Sequence, residues 1–492
     1  IVDRNGHLLA TSLATQSLYA HPHEVDDAAA AARKLARVLP EVNPQALTAN
    51  LQSGRTFIWV RRKLTPQQQF EVNRLGLPGF YFRREDQRVY PQGSLAAHVV
   101  GFTDIDNKGL GGVELKLDDR LRTNGEPVEL SLDIRIQHVL REELTAAKQR
   151  FSAEGAAGLV LDADSGEVLA LVSLPDFEPN EPATATTEAR FNRITLGVYE
   201  QGSTFKLFTA AMALDAGTTT LARGYDASRP IQIGRFTISD YKGKNRWLSV
   251  PEIVVYSSNI GAVRMALDVG TEGQKAFLKR FAMLQAPSLE LPEVGAPLVP
   301  SPWREINTMT IAFGHGLSVG PLQMANGVAA LVNGGILRPA TLLKRTPDGP
   351  VPGRQVLKPQ TSEHMRTLVR LGVTQGTGKK AEVPGYFVGG KTGTAEKVGA
   401  HGGYKRKALL SSFVGAFPAH APRYVVLVMV DEPHGTKESM GYATGGWVAA
   451  PIIHQVVTRM APLLGIEPTP LDAVPDRGGG LIAANVRPGA TR

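Results

Sequence analysis

The apolar positions of this chain alternate between helical and strand-like spacing, and the changes of period sketch a fold. From Asp26 to Val38 alanine, leucine and valine recur at helical spacing. Glu24, Asp26 and Asp27 sit where they suit the helix dipole, and Pro40 marks the stop, so a helix is predicted there. Short β-like runs follow at Thr56 to Val60 and Gly79 to Arg83. A second helix is predicted from about Ile134 to Arg150, entered through Leu130-Ser131-Leu132-Asp133. Two apolar runs, Gly158 to Asp162 and Val168 to Ser173, flank Asp164-Ser165-Gly166 and read as a hairpin. Beyond a polar stretch, Pro179 to Glu188, the middle of the chain is helix-rich. Strand spacing returns at Tyr386 to Thr394, Leu409 to Phe417 and Tyr424 to Val430, and a closing helix spans about Trp447 to Leu464. An early helix and hairpin with a late group of three strands and a helix predict one antiparallel sheet, flanked by helices, assembled from both ends of an α+β domain. The Pro-, Gly- and Ala-rich tail, Pro468 to Arg492, reads as disordered.

Length and composition narrow the classes. The chain has 492 residues, 42% hydrophobic and 20% charged, which excludes wholesale disorder. It contains no cysteine, so disulfides, zinc-thiolate sites, iron–sulfur clusters and a cysteine nucleophile are ruled out. With 54 Lys+Arg against 46 Asp+Glu the formal charge is +8, which favours anionic partners. The tightest basic runs, Arg61-Arg62-Lys63 and Lys405-Arg406-Lys407, are short and lack interleaved aromatics. They read as solvated faces, not a nucleic-acid site. The longest charge-free stretch, Val319 to Leu337, holds Pro321, Gln323, two asparagines and four glycines, a poor membrane helix. The opening Ile1-Val2-Asp3-Arg4-Asn5-Gly6 suggests a processed chain or a fragment with a targeting segment upstream.

Three short motifs could carry chemistry. Ser203-Thr204-Phe205-Lys206 lies where a Gly-containing turn meets a helix running to Gly217. Residues i and i+3 share a helix face, so Lys206 can approach the Ser203 hydroxyl. A desolvated lysine with a lowered pKa can serve as the base a serine nucleophile needs. Ser257-Ser258-Asn259 separates the apolar run Ile253 to Tyr256 from a helix beginning near Ile260, and ordinary N-capping explains it equally well. Lys391-Thr392-Gly393-Thr394 falls on the first late strand, where glycine often marks the close approach of another backbone or a ligand. Each motif alone is weak.

Their conjunction and order match penicillin-binding proteins and serine β-lactamases. The chain resembles a class B penicillin-binding protein, a peptidoglycan D,D-transpeptidase, most closely of the division (septal) type. Further stretches carry the likeness: Arg88-Val89-Tyr90-Pro91, Ala96 to Gly101, Gly111-Gly112-Val113-Glu114, Asp164 to Ala170, Pro175 to Asn180, and Phe313-Gly314-His315-Gly316 with Pro321-Leu322-Gln323. The resemblance implies an N-terminal α/β pedestal domain over 1–125, a transpeptidase domain over 126–466 and a tail over 467–492. It implies that Ser203 attacks the carbonyl between two D-alanines with Lys206 as base. Ser257 would relay the proton to the leaving amine, and Lys391 would support the local electrostatics. Asn259, Thr392, Gly393 and Thr394 would bind substrate, the backbone N–H groups of Ser203 and Thr394 forming the oxyanion hole. No cofactor or metal is implied. The implied partners are donor and acceptor stem peptides, β-lactams, a SEDS-family glycosyltransferase and other division proteins, but not nucleic acid. The implied location is the bacterial inner membrane, through a single N-terminal helix absent from this chain, with the catalytic domain facing the periplasm.

Several positions depart from the family pattern. Gln201 and Leu207 stand where proline is common, Glu396 where many division-type relatives are basic, and Ala443-Thr444 where aromatics are frequent, so the hydrophobic wall of the cleft is expected either to be thinner or to be supplied by Tyr442. Other signals are weaker. Gly376-Thr377-Gly378-Lys379-Lys380 lacks the spacing of a phosphate loop, and His21 and His23 have no accompanying ligand cluster. A β-lactamase, a β-lactam sensor, an elongation-type relative and a scaffold with secondary chemistry remain as alternative readings.

Overall fold

The computed structural model describes residues 1–123, 125–234, 236–346, 348–398 and 403–470. The chain divides into two compact units. The smaller comprises Leu8–Pro91 with Thr103–Leu110; the larger takes in Ile1–His7, Gln92–Phe102 and the chain from Gly111 onward.

The smaller unit is a three-stranded antiparallel sheet backed by helices. In chain order its main elements are β1 (Thr11–Ala20), α1 (Ala28–Val38), α2 (Pro44–Leu51), β2 (Ile58–Leu64), α3 (Pro66–Arg74) and β3 (Phe80–Val89), with β1 in the centre of the sheet. The Asp27 carboxylate caps α1 by accepting from the Ala30 N–H at 2.9 Å, and Asn43 and Thr65 cap the next two helices in the same way. Leu18, Leu35, Leu39, Leu47 and Leu51 form the core between sheet and helices. Sequence spacing predicted α1 but missed β1, and the reason is chemical. Ser17 is fully buried at an inward position while Leu13 is exposed, which scrambles the strand's alternation. The Ser17 hydroxyl is satisfied inside: it donates to the Glu85 carboxylate and accepts from the Lys63 N–H at 2.9 Å.

The larger unit is built on a five-stranded antiparallel sheet. Helix α4 (Ile134–Arg150) leads into the hairpin β4 (Gly155–Asp162) and β5 (Val168–Leu174). A helical middle follows, containing α5 (Lys206–Asp215), α6 (Val250–Tyr256), α7 (Asn259–Arg280), α8 (Pro321–Val332) and α9 (Pro359–Thr374). The chain then adds β6 (Gly389–Val398), β7 (Tyr404–Phe417), β8 (Tyr424–Asp431) and α10 (Gly445–Leu463). The strand order β6-β7-β8-β4-β5 joins the late strands to the early hairpin, with Val426 opposite Val160 at the seam. One sheet from both ends of the domain is the predicted arrangement.

Every residue of β4, β5 and β8 is buried, so both sheet faces are covered. On one face Val426, Val428 and Val430 pack with Leu140 and Leu144 of α4 and Ile453, Val457 and Met460 of α10. Val425, Leu427 and Met429 alternate to the other face, where α8 runs along β7, β8 and β4. Each fully buried aliphatic side chain contributes about 1.5–3 kcal/mol, so this double-sided core anchors everything attached to it. The apolar Val319–Leu337 segment contains the core helix α8, and among the described residues no helix is long and apolar enough to cross a membrane. The helix-rich middle also holds two small hairpins that spacing did not predict, Gly224–Asp226 with Trp247–Ser249 and Ile231–Ile233 with Phe236–Ile238. Of the expected tail, Thr469 donates its N–H to the Gly385 carbonyl at 2.8 Å. The part beyond residue 470 lies outside the described residues.

Candidate active site

Ser203 stands in a single 3-10 turn, Gly202–Phe205, that runs directly into α5. The turn sets the geometry more sharply than an α-helix would. With three residues per turn, side chains at i and i+3 eclipse, so Lys206 lies over Ser203. Its Nζ is 2.9 Å from Ser203 Oγ, 2.7 Å from the Ser257 carbonyl oxygen and 3.1 Å from Ser257 Oγ. Lys206 is 1% exposed. Burial, followed by the positive charge of Lys391, lowers its pKa well below the usual lysine value, with Asp240 opposing weakly. A neutral amine has two N–H donors and one lone pair. The Ser257 carbonyl can only accept, so the donors turn toward Ser257 and the lone pair is left for the Ser203 hydroxyl.

Ser257 is placed by backbone strain. A capping box between Ser249 and Glu252 starts α6, which ends when Ser257 adopts a left-handed conformation (φ 58°, ψ 43°). A non-glycine residue there costs on the order of 1–3 kcal/mol, and the sharp reversal brings both the carbonyl and the hydroxyl of Ser257 to Lys206. Ser258 then caps α7, its Oγ accepting from the Gly261 N–H at 3.0 Å and donating to Asp240 at 2.7 Å. The Asp240 carboxylate also accepts the N–H groups of Asn259 at 2.6 Å and Ile260 at 3.0 Å. It thus clamps Ser258, Asn259 and Ile260, the stretch that follows Ser257. Asn259 donates one side-chain N–H to the Ser239 carbonyl at 2.9 Å, leaving its second N–H and its side-chain oxygen for other partners.

Lys391, Thr392, Gly393 and Thr394 lie on β6, at the edge of the sheet. Two glycines let this strand reach the Ser203 turn. A Cβ on Gly202 would stand 2.9 Å from the Thr394 carbonyl oxygen, and one on Gly393 would stand 2.9 Å from the Gln201 carbonyl and 2.4 Å from Ser412 Oγ. Lys391 is 1% exposed and donates to Ser257 Oγ at 3.0 Å and to the Thr392 carbonyl at 3.2 Å. Burial depresses its pKa to about 7. Thr394 Oγ1 accepts from the Gly445 N–H at 3.0 Å, which leaves its hydroxyl proton to donate, and Thr392 Oγ1 lies 2.5 Å from Thr377 Oγ1.

The three motifs therefore meet: Ser203, Lys206, Ser257 and Lys391 form one continuous chain of contacts, with Asn259 and the two threonines beside it. Sequence reading did not single out Asp240, which lies outside every motif and acts through the segment it clamps and, weakly, on the charge of Lys206. It also passed over Glu200, whose carboxylate accepts from the Gly316 N–H at 2.7 Å and the Tyr404 hydroxyl at 3.1 Å. Burial lowers the pKa of His315, whose ring meets Phe313 and Tyr404 at 5.2 and 5.7 Å. Gln201, where proline is common, donates to the Val319 carbonyl at 2.8 Å and so ties the Ser203 turn to the segment before α8.

Such an assembly of serine hydroxyls on two buried lysines defines a serine acyl-transfer enzyme, and comparison with known proteins specifies the class. Residues 156–458 match the family described as the penicillin binding protein transpeptidase domain, and residues 1–133 match the penicillin-binding protein dimerisation domain. The probable peptidoglycan D,D-transpeptidase FtsI of Caulobacter vibrioides is 42% identical, covering 95% of this chain and 81% of that protein. The peptidoglycan D,D-transpeptidase FtsI of Escherichia coli K12 is 32% identical over 96% of this chain and 84% of its own length. Penicillin binding protein 3 of Mycobacterium tuberculosis, solved with aztreonam, superposes with a TM-score of 0.75 at 26% identity over 96% of both chains. The transpeptidase domain of Burkholderia pseudomallei penicillin-binding protein 3 gives a TM-score of 0.62 at 35% identity, covering 69% of this chain and 97% of that one. The chain belongs to the penicillin-binding protein transpeptidase family.

Proposed function

We propose that this peptidoglycan D,D-transpeptidase cross-links stem peptides during septal wall synthesis through an acyl-enzyme on Ser203. The observation that carries the reading is the buried Lys206 amine 2.9 Å from Ser203 Oγ, with Ser257 bridging it to Lys391. In the first half-reaction Ser203 Oγ attacks the carbonyl between the two terminal D-alanines as its proton passes to Lys206. The backbone N–H groups of Ser203 and Thr394 receive the developing oxyanion, each such donor being worth about 2.7–4 kcal/mol in the transition state. The proton then moves from Lys206 through Ser257 Oγ to the departing amine, the C–N bond breaks and D-alanine leaves. Thr392 and Thr394 hydroxyls and the Lys391 charge hold the terminal carboxylate, and Asn259 binds the donor's amide. In the second half-reaction an acceptor amine attacks the ester, its proton returns through Lys206, and Ser203 Oγ is released protonated.

β-Lactams enter this scheme as acylating mimics. The smaller unit carries none of the three motifs, which supports a role as the contact surface for a SEDS-family glycosyltransferase and other division proteins at the outer face of the inner membrane. The test is intact-mass spectrometry after benzylpenicillin exposure, followed over hours. A persistent single adduct, absent from Ser203→Ala, is the expected result. Stoichiometric labelling of Ser203→Ala would remove the nucleophile assignment, and rapid loss of the adduct with hydrolysed drug would make the enzyme a β-lactamase.

A further inference from the structure

The two oxyanion donors come from segments far apart in the chain, Ser203 from the 3-10 turn and Thr394 from β6. Among the described residues no hydrogen bond runs directly from Gly202–Phe205 to β6. The backbones meet by close contact at Gly202 and Gly393, and the side-chain bonds from Lys206 and Lys391 to Ser257 belong to the reacting groups. Close contact limits how near the two segments come, but it does not stop them from parting or sliding. The alignment of the two donors therefore needs a directional tie.

Glu200 supplies one. It stands three residues before Ser203, in the short strand Tyr199–Glu200 that pairs with Ser318–Val319. Its carboxylate uses both oxygens: Oε1 accepts the Gly316 N–H at 2.7 Å, and Oε2 accepts the Tyr404 hydroxyl at 3.1 Å. Tyr404 opens β7 opposite Val398, the last residue of β6, so this bond reaches the hairpin that carries Thr394. The Gly316 bond holds the loop that abuts the turn itself. There the Gly314 carbonyl accepts the Gly202 N–H at 3.1 Å, and a Cβ on Gly314 would collide with the Gly202 carbonyl oxygen. His315, between these two glycines, packs its ring against Tyr404 at 5.7 Å. Burial, and then the Glu200 charge, raise the Tyr404 pKa, so the phenol stays protonated and able to donate. Hydrogen bonds to an ionised acceptor are about twice as strong as neutral ones, and two on one planar carboxylate fix direction as well as distance. We infer that Glu200 is a positioning residue: through Tyr404 and Gly316 it aligns β6 with the Ser203 turn and so sets the spacing of the two oxyanion donors. The inference rests on the proposed transpeptidase reading and adds to it a residue that acts through others.

Stopped-flow acylation of the full chain by benzylpenicillin, followed against drug concentration, separates the rate constant at saturation from the half-saturating concentration. Misplaced oxyanion donors slow the chemical step without weakening the first encounter. Glu200→Ala should therefore lower the saturating rate by about 10–100-fold and move the half-saturating concentration by less than about threefold. Glu200→Gln, whose amide can accept from Gly316 and donate to the Tyr404 oxygen, should recover most of that loss. Tyr404→Phe removes a single oxygen atom and should cost about 3–10-fold. Both changes cut the same tie, so adding Tyr404→Phe to Glu200→Ala should cost less than about twofold more. The assignment is overturned if the loss lies in the half-saturating concentration alone, or if the two single losses multiply in full. It is equally overturned if the substitutions lower the melting temperature and leave the saturating rate unchanged. Should Glu200→Ala not fold, Tyr404→Phe decides by itself, an unchanged saturating rate removing the tie. Failure of benzylpenicillin to acylate the wild-type chain would instead bring down the transpeptidase reading, and this inference with it.

Discussion

Lys391 gives the sharpest quantitative test, because its burial makes it costly as well as useful. The side chain is 1% exposed and its pKa is depressed from 10.5 to about 7. That fall corresponds to about 5 kcal/mol charged against the ammonium form in the folded state. The unfolded chain keeps this proton up to its ordinary pKa, whereas the folded protein releases it near pH 7. Between those values the unfolded state binds more protons, so stability from this group rises with pH, by about 2 kcal/mol from pH 7 to 9. Below pH 7 the cost is fully present; above about 10.5 it is gone. Lys391→Met keeps the buried length and removes the charge, forfeiting hydrogen bonds to Ser257 Oγ and the Thr392 carbonyl, about 1 kcal/mol each. The variant should therefore be more stable than wild type at pH 6.5 by a few kcal/mol. It should lose that advantage by pH 9, and it should fail to acylate at either pH. Urea unfolding of both proteins at the two pH values reads the difference directly, and the comparison cancels groups that titrate alike in both. A stability difference that is the same at pH 6.5 and 9 would refute the buried-ammonium account.

Three further outcomes follow from the same geometry. Lys206→Ala should abolish benzylpenicillin acylation, and in the wild type the rate should fall on acidification as the Lys206 amine gains a proton and its lone pair is lost; stopped-flow acylation across pH shows both, and activity surviving the substitution at neutral pH would exclude Lys206 as base. Asp240→Asn should lower the melting temperature, since each charge-assisted bond it weakens is worth about 1.5–3 kcal/mol, and should slow acylation by about tenfold or more through displacement of Ser257 and Asn259; an unchanged acylation rate would show the clamp to be dispensable. Gly393→Ala places a methyl group 2.4 Å from Ser412 Oγ and 2.9 Å from the Gln201 carbonyl, so β6 must withdraw from the nucleophile turn; acylation should drop far more than stability, as a labelling assay alongside thermal unfolding would reveal.

The legible part of this protein is the part written in local chemistry. Helix α4 was readable end to end because Asp133 caps it and its apolar positions keep helical spacing. Strand β8 was readable because burial on both faces makes it a continuous apolar run. Ser203, Lys206, Ser257, Asn259 and Lys391 were readable only as members of ordered motifs, since each short motif alone has an ordinary capping or strand explanation. What stayed hidden depends on long-range partners. Ser17 reads as a surface residue until Glu85 and the Lys63 amide are brought to it. Asp240 is one acidic residue among many until the small hairpins place it against Ser258. The 3-10 geometry at Ser203 was also invisible, because a helix start and a 3-10 turn share the same residue preferences.

The fold explains why a site with such expensive parts can exist. Two lysines with almost no exposure, close enough that Lys391 disfavours the charge on Lys206, and a serine forced into a left-handed conformation all oppose folding locally. Lys206 is fixed by the turn feeding α5, Ser257 by the reversal between α6 and α7, and Lys391 by register against Val414 in β7. Those three supports are tied to one another through the covered five-stranded sheet, so the strain at the site is set against the burial energy of an entire domain. That arrangement also accounts for the spacing of the motifs. The lysine strand is an edge strand, which leaves one side free to face Ser203 and Ser257, and it joins the sheet late, after the helical middle that carries both.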